Sequence, residues 1–83
     1  MNEFDSRIVA TRFGEFIKAG RLKKNLTQTE VAKRLNRAQS YYNYLESGGR
    51  NVDLSLAMEL CRILDLDLND FVNSLNNDRP STF

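Results

Sequence analysis

Residues 27–46 read Thr27-Gln28-Thr29-Glu30-Val31-Ala32-Lys33-Arg34-Leu35-Asn36-Arg37-Ala38-Gln39-Ser40-Tyr41-Tyr42-Asn43-Tyr44-Leu45-Glu46. The stretch encodes two short helices and the turn between them. Thr27 followed three residues on by Glu30 is a capping box, in which each side chain answers the other residue's backbone N–H. Val31, Ala32 and Leu35 then share one helical face. Leu26, just before the cap, is placed to staple onto Val31. Asn36-Arg37-Ala38 is the break, and Asn36 is a residue that tolerates the left-handed conformation at a helix end. The second helix runs from about Gln39 to Ser47, with Tyr42 and Leu45 inward and Gly48-Gly49 closing it.

Outward from this pair, Phe13, Phe16, Ile17 and Leu22 predict an earlier amphipathic helix, and Asn25 reads as its stop. Gly20 interrupts that stripe at a cost of about 1 kcal/mol relative to Ala, which suggests close approach of a neighbouring backbone. Downstream, Asp53 is a plausible N-cap. Leu54, Ala57, Leu60, Cys61 and Leu64 line the next helix, with Met58 and Ile63 beside them. Asp67 starts a last helix in a box-like arrangement with Asp70, and Leu68, Phe71, Val72 and Leu75 form its apolar face. The expectation is an all-α, compact five-helix domain over residues 12–75. Residues 1–11 fit either an N-terminal arm or a short extra helix, since Phe4 and Ile8 are four apart. Residues 76–83, with Pro80, read as a flexible tail.

With 83 residues and 41% apolar content, the chain holds one domain with one small core. Its longest apolar runs are a few residues, too short to span a membrane. No signal peptide is visible in Met1–Thr11. The single cysteine, Cys61, excludes an internal disulfide framework and suggests a reduced compartment. Together these point to a cytoplasmic location. Net charge is only +1, but it is unevenly placed: residues 12–50 carry nine Lys/Arg against three acids, and the remainder three Arg against eight acids. A basic first half can steer toward phosphates. There is no histidine, and no serine, lysine or cysteine has a plausible activating partner, so an enzyme is not expected. No cofactor or metal site is expected either. Asp65, Asp67 and Asp70 lack the spacing and glycine of a calcium loop.

A helix pair joined by a tight turn is the unit that places its second helix in the major groove of DNA. With Tyr42 and Leu45 inward, Gln39, Ser40, Asn43, Tyr44 and Ser47 face outward. Gln39 suits adenine and Ser40 several bases, while Tyr44 suits a thymine methyl or a phosphate. Gln28 opens the first helix of the pair, where side-chain and backbone amides hold a phosphate. Arg37 in the turn reaches backbone or groove edge, and Arg50 and Asn51 are natural phosphate clamps.

The run from Leu26 to Leu35, followed by Gln39-Ser40-Tyr41-Tyr42-Asn43-Tyr44-Leu45-Glu46-Ser47-Gly48, resembles the Cro/lambda-repressor type of helix-turn-helix, the XRE family. The resemblance covers roughly residues 13–75. It implies a five-helix domain that binds pseudo-palindromic operators as a dimer. It gives Gln28 a phosphate-binding role, Gln39, Ser40 and Tyr44 base-reading positions, and Asn43 a position near the DNA backbone. Arg21 and Glu46 fall on positions that form an internal ion pair. Asn36 replaces the usual Gly, Val52 stands where Pro is common, and Tyr42 occupies a site normally held by Val or Ile.

The expected partners are therefore double-stranded DNA and a second copy of the chain, with the last helix near Val72 and Leu75 as the interface. RNA polymerase is a further possible partner, through acids such as Glu59 and Asp65. The expected role is a transcriptional regulator, such as a repressor or controller of a phage, mobile-element or restriction–modification operon. The alternative is a protein-interaction or antitoxin-like module that keeps the fold without strong operator binding.

Overall fold

A computed structural model describes residues 5–77. Within them the chain forms five helices: α1 Ser6–Lys23, α2 Gln28–Leu35, α3 Gln39–Glu46, α4 Leu54–Leu64 and α5 Leu68–Asn77. The expected all-α, five-helix architecture is what the structure shows.

The helix starts follow local chemistry. At α2 both halves of the capping box form: Glu30 N–H donates to Thr27 Oγ1 at 3.1 Å, and Thr27 N–H donates to Glu30 Oε1 at 2.8 Å. Asp53 accepts from Leu56 N–H at 2.8 Å and Asp5 from Arg7 N–H at 2.9 Å. Asp67 also caps its helix, but it accepts from Asn69 N–H at 2.9 Å and no return from Asp70 is formed.

The helix ends share one device. Asn25, Asn36, Gly48 and Asp65 have φ of 56, 61, 77 and 54°. In each case the next amide reaches back to the carbonyl five residues earlier: Leu26 to Arg21 at 3.1 Å, Arg37 to Ala32 at 3.0 Å, Gly49 to Tyr44 at 2.9 Å and Leu66 to Cys61 at 2.8 Å. This is the Schellman closure. Three of the four use Asn or Asp, whose short polar side chains tolerate the left-handed region.

The boundary expected at residue 12 is not a break. α1 starts at Ser6 and runs unbroken through Thr11, because Asp5 caps it and Ala10 is buried against the core while Val9 packs on its edge. Residues 6–11 are thus part of α1, not a separate arm or extra helix. At the other end, residues 76 and 77 continue α5. Phe4, Pro80 and the tail from residue 78 lie outside the described residues.

Ile17, Val31, Tyr42, Leu45 and Leu60 are fully buried at the centre. Each such side chain contributes about 1.5–3 kcal/mol by leaving water. Phe71 of α5 meets Phe13 edge-on, with centroids 5.2 Å apart and an interplanar angle of 83°, and lies 5.3 Å from Phe16. That aromatic trio docks the last helix onto the first.

Three expected core positions differ. Leu22 is 55% exposed, since the buried stripe of α1 ends in Gly20 and Arg21. Leu54 and Met58 are also exposed, while Ala57, Leu60, Cys61, Ile63 and Leu64 carry the buried face of α4. Leu75, expected at a dimer surface, is buried in the core cluster, and only Val72 of that pair is exposed.

Candidate nucleic-acid interface

The placement of α3 begins with two glycines. A Cβ on Gly14 of α1 would run into the Glu46 carbonyl oxygen and lie 2.7 Å from that of Leu45. The close backbone approach expected at Gly20 is therefore at Gly14; at Gly20 the neighbour is the Leu66 side chain. Gly48, at the end of α3, sits against Thr11, whose Cα would be 2.7 Å from an added Cβ. The C-terminal end of α3 is thus seated on the backbone of α1. Its other flank packs on α2, whose Val31, Ala32 and Leu35 are buried in one core cluster with Tyr42 and Leu45 of α3.

One ion pair locks this seat. Arg21 Nε donates to Glu46 Oε2 at 2.6 Å and Nη2 donates to Oε1 at 3.1 Å, a two-pronged contact, while Nη1 donates to the Leu26 carbonyl at 3.0 Å. The side chains are 10% and 5% exposed. Burial opposes the charge on Glu46, but the bonds from Arg21 and Gln28, with the Tyr42 hydroxyl nearby, outweigh it, so the carboxyl stays below its ordinary range. The hydrogen bond to Glu46 raises Arg21 in turn. Burial, and then the nearby Glu46, push the Tyr42 phenol up, so it remains a neutral hydroxyl. The Tyr42 ring fills the core, and its Oη is buried without a well-formed hydrogen bond.

Gln28 differs from the expected phosphate-facing pose. Its Nε2 donates to Glu46 Oε1 at 3.0 Å, which turns the amide inward onto the ion pair. The cause is the carboxylate itself, a stronger acceptor than water for a donor already at the helix start. Gln39 is tied as well: Thr29 Oγ1 donates to Gln39 Oε1 at 2.8 Å. That bond orients the Gln39 amide. A carboxamide oxygen has a second lone pair, so the donor–acceptor edge that adenine requires is preserved.

Ser40, Tyr44 and Ser47 are exposed on the outer side of α3, where with Asn43 they line a shallow open depression. Asn43 is half-buried, with its Oδ1 turned inward and lacking a partner. The Tyr44 ring leans on Gly49, where an added Cβ would lie 2.5 Å from Cδ1 and 2.6 Å from Cε1. Arg37 and Arg50 are exposed and both lie over the ring of Tyr41, a residue outside the expected site. Asn51 is exposed and borders a groove shared with Val9, Ala10, Phe13, Leu54 and Phe71.

Sequence reasoning missed Gly14, Gly49, Thr29 and Tyr41. Gly14 had a signal, since it lies four residues after Ala10 and three before Ile17 on the buried stripe. The contacts Thr29–Gln39 and Arg50–Tyr41 join separate elements and have no local signature, whereas Gly49–Tyr44 and Arg37–Tyr41 lie within five residues and carry no residue pattern that marks them. Elsewhere, Asp65, expected as part of an exposed acidic patch, is hydrogen-bonded to Lys24 and held below its usual range by that contact. Burial, and then Asp67, raise the thiol of Cys61, which fits an inert core position. No group of acids, Cys or His among the described residues is arranged to hold a metal ion. No helix among them is long and apolar enough to cross a membrane.

Comparison with known proteins agrees with this arrangement. No curated protein matches the chain. In fold it is similar to the crystal structure of the clp gene regulator ClgR from Corynebacterium glutamicum, with a TM-score of 0.77 and 20% identity, over 88% of this chain and 78% of that one. The HTH_3 family, described as helix-turn-helix, matches residues 17–71. That match runs from the buried middle of α1 to Phe71 and takes in the whole α2–α3 unit, so the chain belongs to the HTH_3 helix-turn-helix family.

Proposed function

We propose that this chain reads a pseudo-palindromic operator in double-stranded DNA as a homodimer, with α3 in the major groove, in the manner of Cro/lambda-repressor-type (XRE) proteins. The general part follows from the family: this is a non-catalytic, DNA-binding regulator of the helix-turn-helix type. The observation that carries the finer reading is the outer face of α3. It presents Gln39, Ser40 and Tyr44, while its only acid, Glu46, is neutralised by Arg21 beneath the helix. A helix built this way meets a polyanion without repulsion and with its donors and acceptors outward.

In this reading Gln39, Ser40 and Tyr44 contact bases. Arg37, Asn43, Arg50 and Asn51 contact phosphates, as do the amides at the start of α2 around Gln28. A single domain makes few contacts, which favours two copies on two half-sites. The exposed apolar side chains Leu54, Met58 and Val72 are available for the dimer contact. An operator-bound dimer of this kind acts as a repressor by occupying promoter DNA. Selection of bound sites from random duplex DNA at fixed salt tests the reading. A near-palindrome with one helical turn between half-site centres is the expected product, and no enrichment over random duplex would overturn it.

A further inference from the structure

Tyr41 is half-buried in the first turn of α3. Two guanidinium groups converge on its ring, one from the turn before that helix and one from the loop after it. Arg37, in the turn before α3, has Cζ 5.1 Å from the ring centroid, and Arg50, in the loop after it, has Cζ 4.8 Å away. Both distances fall within cation–π range. The shared ring also keeps the two cations within about 10 Å of each other. Among the described residues, neither arginine forms an ion pair with a carboxylate. Two like charges gathered without an acid repel each other, and an anion beside them relieves that repulsion. A guanidinium held by a ring face keeps N–H donors for such an anion, in the fork geometry that suits phosphate.

We propose that Tyr41 is a positioning residue that holds Arg37 and Arg50 as a paired clamp on the phosphates of one DNA strand beside α3. The proposal rests on the operator-binding reading and deepens it. Arginine side chains are long and lose rotamer freedom when they bind. Stacking on a fixed ring removes part of that freedom before DNA arrives. The spacing suits the same or neighbouring phosphates of a strand, whose charges repeat every ~3.4 Å along the helix axis.

The test uses the full chain and a fluorescein-labelled mixed-sequence duplex titrated over a range of salt. Tyr41→Leu is expected to lower the slope of log affinity against log salt by about 1.8, the value for two phosphate contacts, with roughly tenfold weaker binding at low salt. Tyr41→Phe, which keeps the ring, is expected to match the wild type, as a purely hydroxyl-based role would not. In the free protein, the Arg37 and Arg50 side-chain protons should show ring-current shifts that persist in Tyr41→Phe and vanish in Tyr41→Leu. Should Tyr41→Leu fail to fold, the Arg37→Gln/Arg50→Gln double variant, altered only at exposed positions, is expected to lose the same slope. A wild-type chain that binds no duplex overturns the operator reading itself. Wild-type binding with an unchanged slope in Tyr41→Leu or in the double variant overturns the clamp alone, and so does the absence of ring-current shifts.

Discussion

At Glu46 burial and hydrogen bonding oppose each other, and the bonds from Arg21 decide the outcome. Its folded pKa lies below the ordinary 4.5, so the pair contributes stability above that value, and the contribution is lost as pH falls through the folded pKa. The urea midpoint is therefore expected to drop on acidification through this range, with a shallower drop in Glu46→Gln. Glu30 is depressed by its bond to Thr27, so part of the acid sensitivity remains in that variant. Glu46→Ala leaves Arg21 buried and uncompensated, and is expected to cost about 3–5 kcal/mol by chemical denaturation. Gly49 makes the opposite case. Its added methyl strikes the exposed Tyr44 ring, which can rotate away, and lies at an ordinary 3.4 Å from Ser47 Oγ. Gly49→Ala should change stability by less than about 0.5 kcal/mol. It should relax base preference at the position under Tyr44, read by repeating the site selection.

Between elements, the contact that sets the pose of α3 is backbone on backbone. Gly14→Ala gains about 1 kcal/mol of helix propensity, but the new methyl strikes the Leu45 and Glu46 carbonyls, which cannot yield without moving α3. The net expectation is a loss of about 1–3 kcal/mol together with weakened DNA binding, whereas Ala at a merely exposed helical glycine would stabilise. Thermal melting and a gel-shift titration of the same variant distinguish the two. The turn between α2 and α3 tests the left-handed closure. Asn36→Ala should destabilise by about 1 kcal/mol, and Asn36→Gly should be neutral or stabilising.

For the whole molecule, stability depends on joining the ends of the fold. Phe71 ties α5 to Phe13 and Phe16 of α1. Phe71→Ala is expected to remove about 3–5 kcal/mol, a large share of the ~5–15 kcal/mol available to a domain. Loss of a cooperative thermal transition at 37 °C would show it. Charge is also organised at this scale. Along the chain, residues 12–50 are basic and the remainder acidic, and the basic stretch holds the α2–α3 pair, so duplex association should slow steeply with added salt even though the net charge is near zero. Stopped-flow fluorescence measures that dependence directly.

What this sequence determined by itself is most of what depends on residues three to five apart. The capping box at Thr27 and Glu30, the Asp53 cap, the left-handed Asn36 and the apolar faces of α2 and α3 were all legible, because a helix start or stop is settled within one turn of backbone. The Arg21–Glu46 pair was legible through family resemblance, and the residue types agree with it, since Glu46 would otherwise be an acid facing phosphates; spacing could not join the two, because they lie on different helices. Tertiary structure decided the rest. It turned Gln28 inward onto Glu46, tied Gln39 to Thr29, and set Gly14 against the end of α3. It also buried Leu75 while exposing Leu22 and Leu54, and brought Arg50 onto the ring of Tyr41. Each of these is set by what packing between elements brings within reach or leaves uncovered, and no local pattern of residues specifies which helix or loop will come near.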